Sequence, residues 1–183
     1  MLARLLFALA LVAPLASQAD WKAFCADVKT WKKGEPVPAA EKYSEAGFAN
    51  VVKAQFVHEN LDKPDYVLID ARSEADRGVG KLPKSIMLTS DDADPAKNEF
   101  VKDKFITTVA KYMAKNKKSK VPASAKKIED LGGTHYMLFC NGPKCHRSTY
   151  AACQMREWGI PAEKIHIMTG GFPEWKEAGY PTR

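Results

Sequence analysis

The stretch "HYMLFC" (His135 to Cys140) is a short, nearly unbroken apolar run, and it is followed after seven residues by "STYAACQMREWG" (Ser148 to Gly159), which has helical spacing. A short run with no polar alternation suits a strand buried on both faces, and such strands belong to parallel sheets covered by helices. "DYVLID" (Asp65 to Asp70) repeats the strand signal, "SIMLTS" (Ser85 to Ser90) repeats it more weakly, and "KIHIMTGG" (Lys164 to Gly171) ends a last strand in a glycine turn. Helices are predicted between and around them. "AGFANVVKAQFVHENL" (Ala46 to Leu61) places Phe48, Val51, Val52, Gln55, Phe56 and Glu59 at near-helical spacing. Glu99 to Asn116 offers Phe100, Phe105, Val109 and Met113 to a core. In the helix from Ser148 to Gly159, Ala151, Ala152, Met155 and Trp158 share a face, with Ser148 as the expected N-cap and Gly159 as the stop. "FPEWKEAG" (Phe172 to Gly179) closes the chain with a short helix. Strands alternating with helices predict an α/β sandwich around a parallel sheet.

The 183 residues fit one domain, and 45% hydrophobic residues are enough for its core. The N-terminus reads as an export signal over residues 1–19. Arg4 is its basic flank, "LLFALALVAPL" (Leu5 to Leu15) its apolar stretch, and "SQA" (Ser17 to Ala19) its cleavage site. The apolar stretch is too short to span a bilayer. The expected product is periplasmic or secreted, with no membrane association after cleavage. Residues 20–45, broken by "GEPVP" (Gly34 to Pro38), read as an extension with little regular structure, and residues 46–183 as the folded domain.

The net charge is +6, and the ten lysines from Lys97 to Lys127 face only Glu99 and Asp103. Such a run reads as a solvated helix face, with a docking surface for an acidic partner as the alternative. It lacks the arginines and aromatic interleaving of a nucleic-acid surface, so no nucleic-acid partner is expected. The chain is expected to be a monomer.

The loop between the third strand and its helix gathers the chemistry: Cys140, Asn141, Gly142, Pro143, Lys144, Cys145, His146 and Arg147. In open parallel sheets the carboxyl ends of strands face the binding crevice. Backbone N–H groups and a helix N-terminus there hold anions and lower a thiol's pKa. Cys140 is therefore the candidate nucleophile. The backbone from Asn141 to Arg147 is the candidate anion cradle, with Lys144, His146 and Arg147 adding positive charge. "CNGPKCH" offers no second ligand pair at zinc-site spacing, so neither a metal nor another cofactor is expected.

Three segments of the chain resemble the rhodanese-like family. "LIDARSEADRGVGKLPKSI" (Leu68 to Ile86) is similar to its first signature, with Asp70, Arg72, Gly80 and Pro83 at the matching positions. Leu138 to Trp158 resembles its strand, cysteine loop and helix. "MTGGFPEWKEAGYPT" (Met168 to Thr182) resembles its glycine-glycine-aromatic ending, with Gly170, Gly171, Phe172 and Trp175. The cysteine, glycine-proline and second cysteine resemble a subgroup of that family. The resemblance implies a three-layer sandwich with a central five-stranded parallel sheet flanked by helices. It also implies transfer of sulfane sulfur from a small anion such as thiosulfate to cyanide or a thiol, through a persulfide on Cys140. Two features depart from the common pattern. Six residues separate Cys140 from Arg147, which makes a longer loop, and Lys81 stands where the first signature usually has histidine. Asp70 and Arg72 follow a strand, and their expected role is to brace the loop as an ion pair, with direct substrate contact as the alternative.

Competing functions remain open at this stage. The chain could be a thiol-disulfide protein in which Cys145 resolves Cys140 with a redox partner protein, a non-catalytic sulfur-delivery module, or an oxyanion phosphatase or arsenate reductase. Four cysteines, Cys25, Cys140, Cys145 and Cys153, allow three full pairings. Cys153 lies about 200° around its helix from Ala151 and so points away from the apolar face. A Cys25–Cys153 disulfide is expected to tie the extension across that outer face, leaving Cys140 with Cys145. A Cys25–Cys145 pair and reduced thiols are the alternatives.

Overall fold

The computed structural model describes residues 20–32, 34–91, 94, 96–116 and 119–183. The expected export signal at residues 1–19 lies outside the described residues. The chain runs α1 (Asp20–Val28), α2 (Ala40–Glu45), β1 (Asn50–Val51), α3 (Ala54–Asn60), β2 (Tyr66–Asp70), β3 (Ser85–Met87), α4 (Lys102–Asn116), β4 (His135–Phe139), α5 (Arg147–Glu157), β5 (Ile165–Met168) and α6 (Gly171–Glu177), with short 3₁₀ turns between. The strands form one five-stranded sheet in the order β1-β5-β4-β2-β3, and every pairing is parallel.

The apolar runs explain the layers. Along β4, Tyr136 and Leu138 enter one core cluster while Met137 and Phe139 enter the other. Side chains alternate across a strand, so a run with no polar residue must be covered on both faces. The first cluster packs the sheet against α4 and α5 through Phe105, Val109, Ala151 and Met155. The second packs it against α3 and α6 through Ala54, Val57, Phe172 and Trp175. The result is the three-layer α/β sandwich. No helix among the described residues is long and apolar enough to cross a membrane.

Several expected elements differ in extent. The extension is not irregular, since it carries α1 and α2. Cys25, Val28 and Tyr43 are buried in the first core cluster, with Trp21, Phe24 and Trp31 packed on it. Tertiary burial of an apolar stripe stabilises a nine-residue helix that would be marginal alone. The helix expected from Ala46 begins only at Ala54. Ahead of it, Asn50 and Val51 pair with His166 and Ile167 as an edge strand. Two residues leave no readable period, so the strand was hidden in an apparently helical pattern. The strand expected over Ser85 to Ser90 shortens to three residues. Phe100, Phe105, Val109 and Met113 are all buried. Ser148 is not the N-cap: α5 begins at Arg147 after His146, and Ser148 is buried inside its first turn. Gly159 follows the end of α5 with φ of 88°, a left-handed conformation that glycine adopts without strain.

Candidate active site

The cysteine loop leaves the sheet at its carboxyl edge. Cys140 follows directly on β4, and α5 starts seven residues later. Gly142 turns the chain with φ of 125°, and the Cys145 N–H donates to the Gly142 carbonyl at 2.9 Å. The Gly170–Gly171 turn closes against the underside of the loop. Phe172 N–H donates to the Cys140 carbonyl at 2.9 Å. Gly171 has φ of 61°, and a Cβ on it would collide with the Cys140 carbonyl oxygen and the Gly142 nitrogen. This close approach accounts for Gly171, while a Cβ on Gly170 would run into the Glu174 side chain.

Asp70 and Arg72 brace the same region from below. Arg72 Nε donates to Asp70 Oδ1 at 2.9 Å and Nη2 to Asp70 Oδ2 at 2.8 Å. Nη2 also reaches the Gly80 carbonyl at 2.8 Å. The guanidinium lies 4.5 Å from the Phe172 ring centre and 5.3 Å from that of Phe139. Both charged side chains are fully buried. A buried arginine beneath Phe172, paired with a carboxylate through two hydrogen bonds, links the end of β2 to the glycine turn. Arg77, which carries no motif in the sequence, joins them by donating to Thr89 Oγ1 at 2.9 Å and to the Asp70 carbonyl at 3.3 Å.

The positive groups of the loop are not all turned to an anion. Arg147 donates from Nη1 to Asp76 Oδ2 at 3.0 Å and from Nη2 to Asp91 Oδ2 at 3.3 Å. Two carboxylates offset its charge. Burial works to raise the Asp76 carboxyl pKa, but hydrogen bonds from Ser73 and Asn141 and the Arg147 charge outweigh it, and the pKa falls below its usual value. His146 is buried and pairs through Nε2 with the Glu35 carbonyl at 3.1 Å, while the Trp31 ring meets it edge-on at 4.9 Å. Its place is also structural. Lys144 stays exposed beside Asn141 and Pro143.

The extension forms part of this site. Val37 N–H donates to the Pro143 carbonyl at 2.7 Å. Tyr150 Oη donates to the Val28 carbonyl at 2.7 Å, and Tyr43 Oη bonds Thr149 Oγ1 at 3.0 Å. Burial raises the Tyr43 phenol to about 12, against a smaller opposing effect of the Thr149 bond. Cys25 and Cys153 are joined in a disulfide with Cα atoms 5.7 Å apart. Cys153 is buried because α1 covers the face of α5 that carries it. Cys140 and Cys145 form a second disulfide, with Cα atoms 6.0 Å apart.

Above the loop opens a cleft of about 690 Å³, lined by Asn141 to Arg147 together with Trp31, Ser73, Asp76, Asp91 and Tyr150. Trp31, Asp76 and Asp91 were not singled out from the sequence. They lie in the extension and in connections whose partners are distant along the chain, and no local pattern marks them. Among the described residues, no group of three or more His, Cys, Asp or Glu side chains could hold a metal ion.

No curated protein matches the chain. Among solved structures, the thiosulfate sulfurtransferase of Pseudomonas aeruginosa is 16% identical with a TM-score of 0.47, covering 91% of this chain and 23% of its own. The RPA3614 protein of Rhodopseudomonas palustris, described as a possible tyrosine phosphatase, is 16% identical with a TM-score of 0.45, covering 97% of this chain and 99% of its own. The 3-mercaptopyruvate sulfotransferase SseA of Escherichia coli is 19% identical with a TM-score of 0.42, covering 73% and 50%. The Rhodanese-like domain family matches residues 53–178, a span that takes in the first signature, the cysteine loop and the glycine-glycine turn. That span is well over half of the sequence, and the chain belongs to the rhodanese-like domain family.

Proposed function

We propose that the chain is an exported sulfurtransferase acting through Cys140. With both loop cysteines reduced, the Cys140 thiolate attacks the outer sulfur of an anionic donor such as thiosulfate. The S–S bond of the donor breaks, sulfite leaves with the electron pair, and Cys140 keeps the sulfur as a persulfide. A thiol or cyanide acceptor then attacks that outer sulfur and regenerates the Cys140 thiolate. The observation that carries the reading is the position of Cys140, at the carboxyl end of β4 in a loop that feeds the N-terminus of α5. That placement favours the thiolate and an incoming anion together. Lys144 supplies the free positive charge, while Asp70 with Arg72, and Asp76 with Arg147, hold the loop in shape.

The test is intact mass after reduction and thiosulfate treatment. A gain of one sulfur atom that maps to Cys140, and is absent from Cys140→Ser, is the expected result. An unchanged mass in the reduced wild type removes the reading.

The Cys140–Cys145 disulfide favours a second reading, a thiol-disulfide protein that cycles these two cysteines with a redox partner. The two readings separate on Cys145→Ser, which retains persulfide formation in the first and loses all turnover in the second.

A further inference from the structure

The two sulfurs of the loop disulfide differ in access. Cys140 is 1% exposed and does not line the cleft. Its carbonyl is tied to Phe172, and Gly171 packs directly beneath it. Cys145 is partly exposed and lines the cleft between Lys144 and His146, in a site that also includes Trp31. Thiol-disulfide exchange requires an attacking thiolate to reach one particular sulfur, and it runs faster when the other sulfur leaves as a stabilised thiolate. Access selects the direction here. Cys145 is the sulfur an incoming thiol can reach. Cys140, which is covered, is then the leaving sulfur.

We infer that the cleft is a thiol-binding site and that an organic thiol reduces the oxidised loop by attacking Cys145, which makes Cys145 the receiving sulfur of the site and Cys140 its leaving group. The incoming thiolate forms a bond to Cys145 Sγ while the Cys140–Cys145 bond breaks, and Cys140 departs with the electron pair as a thiolate. A second thiol attacks the mixed disulfide at its own sulfur, leaves as the oxidised dimer of the reductant, and frees Cys145. Two thiols thus give up two electrons and the loop gains them. The persulfide forms on the sulfur that reduction releases. Arg147 faces Asp76 and Asp91, so the cleft holds no uncompensated arginine. A thiol carried on a neutral or zwitterionic body therefore meets no large electrostatic barrier there.

This inference rests on the reading of the loop as the reactive site, and it is testable apart from sulfur transfer. The oxidised full-length chain is mixed with a limiting amount of glutathione, with iodoacetamide present to trap the released thiolate. The reaction is then quenched in acid and digested. Cleavage after Lys144 separates the two cysteines into different peptides. The expected product carries glutathione on Cys145 and the alkyl group on Cys140, in at least about tenfold excess over the reverse arrangement, which is a difference of about 1.4 kcal/mol between the two attacks. The reverse arrangement, or the two in equal amounts, overturns the inference. So does an oxidised chain that glutathione leaves unreacted, because Cys145 would then be out of reach. A chain that shows the Cys145 adduct but takes no sulfur from thiosulfate after reduction loses the sulfurtransferase reading and keeps this one.

Discussion

The two disulfides differ in everything except their chemistry. Cys25–Cys153 spans 128 residues, is buried at both ends and staples α1 to α5. Cys140–Cys145 spans five residues and has one end in an open cleft. In the chain-entropy account, the long closure restricts the unfolded chain by about 5 kcal/mol and the short one by about 2 kcal/mol. The long bridge is buried in the core, both cysteines being 2% exposed, and Cys153 borders only a smaller hollow of about 360 Å³ beside Lys29 and Glu157. The short bridge lies where a small molecule can arrive. The contrast shows that location, not the bond, separates a structural disulfide from a reactive one.

The sharpest way to break the contrast is Cys140→Ser. Persulfide formation and sulfur transfer from thiosulfate should fall by at least about a thousandfold, about 4 kcal/mol of transition-state stabilisation. Loss of the short bridge should cost no more than about 2 kcal/mol in urea unfolding. Turnover that survives in this variant would place the nucleophile elsewhere.

Removing the long bridge should do the opposite. Cys25→Ala with Cys153→Ala should lower unfolding stability by up to about 5 kcal/mol, while reduced protein still accepts sulfur on Cys140. If the double variant is as stable as the wild type, the bridge is not what holds the extension, and the hydrogen bonds from Tyr43 and Tyr150 carry that role.

A third substitution asks whether the loop owes its shape to its disulfide or to the ion pair below it. Asp70→Asn strands the buried Arg72 guanidinium and should cost about 3–5 kcal/mol. The loss should be the same in oxidised and reduced protein, because Arg72 acts through Phe172 and not through the sulfurs. A penalty seen only in the oxidised form would show that the brace depends on the bridge.

The smallest effect lies at the opposite end of the sheet and should ignore both bridges. His166 sits on β5 with His135 Nδ1 3.0 Å from its Nε2, and Lys164 Nζ lies 2.9 Å from His135 Nε2. Burial first, then His135 and Lys164, push the His166 pKa down to about 4. His135 is lowered as well, by burial first and Lys164 second. The unfolded chain takes up these protons near the ordinary histidine value of about 6.5, while the folded chain resists them. Stability is therefore full above pH ~6.5, falls as the pH drops toward ~4, and levels off below, with up to about 3 kcal/mol from His166. Urea unfolding across that window should show the decline in the wild type and in the Cys25→Ala, Cys153→Ala variant alike, and His166→Phe should flatten it. A decline confined to the oxidised wild type would tie the histidines to a disulfide and remove the separation between the two ends.

Much of the molecule was legible along the chain because its signals are local. The apolar runs of β2, β4 and β5 report burial on both faces, and Cys140 at the end of one of them locates the reactive edge of the sheet. The angular position of Cys153 on its helix was also readable, since it needs only the helical period. Other features had no local signature. The edge strand Asn50–Val51 is two residues long, and the helices of the extension are stabilised by core contacts that the extension does not itself contain. The ion pairs of Arg147 with Asp76 and Asp91 had no local signature either, since both partners lie far away along the chain.

The sequence by itself determined the alternation of strands and helices and the place of the cysteine loop between a strand end and a helix. Periodicity, turn glycines and residue type act within a few positions. Only the tertiary structure decided which groups face the cleft. Arg147 meets Asp76 and Asp91 across separations of 71 and 56 residues, and His146 meets Glu35 across 111. Those pairings depend on how the layers close over one another, and the closure leaves Cys140 covered and Cys145 within reach.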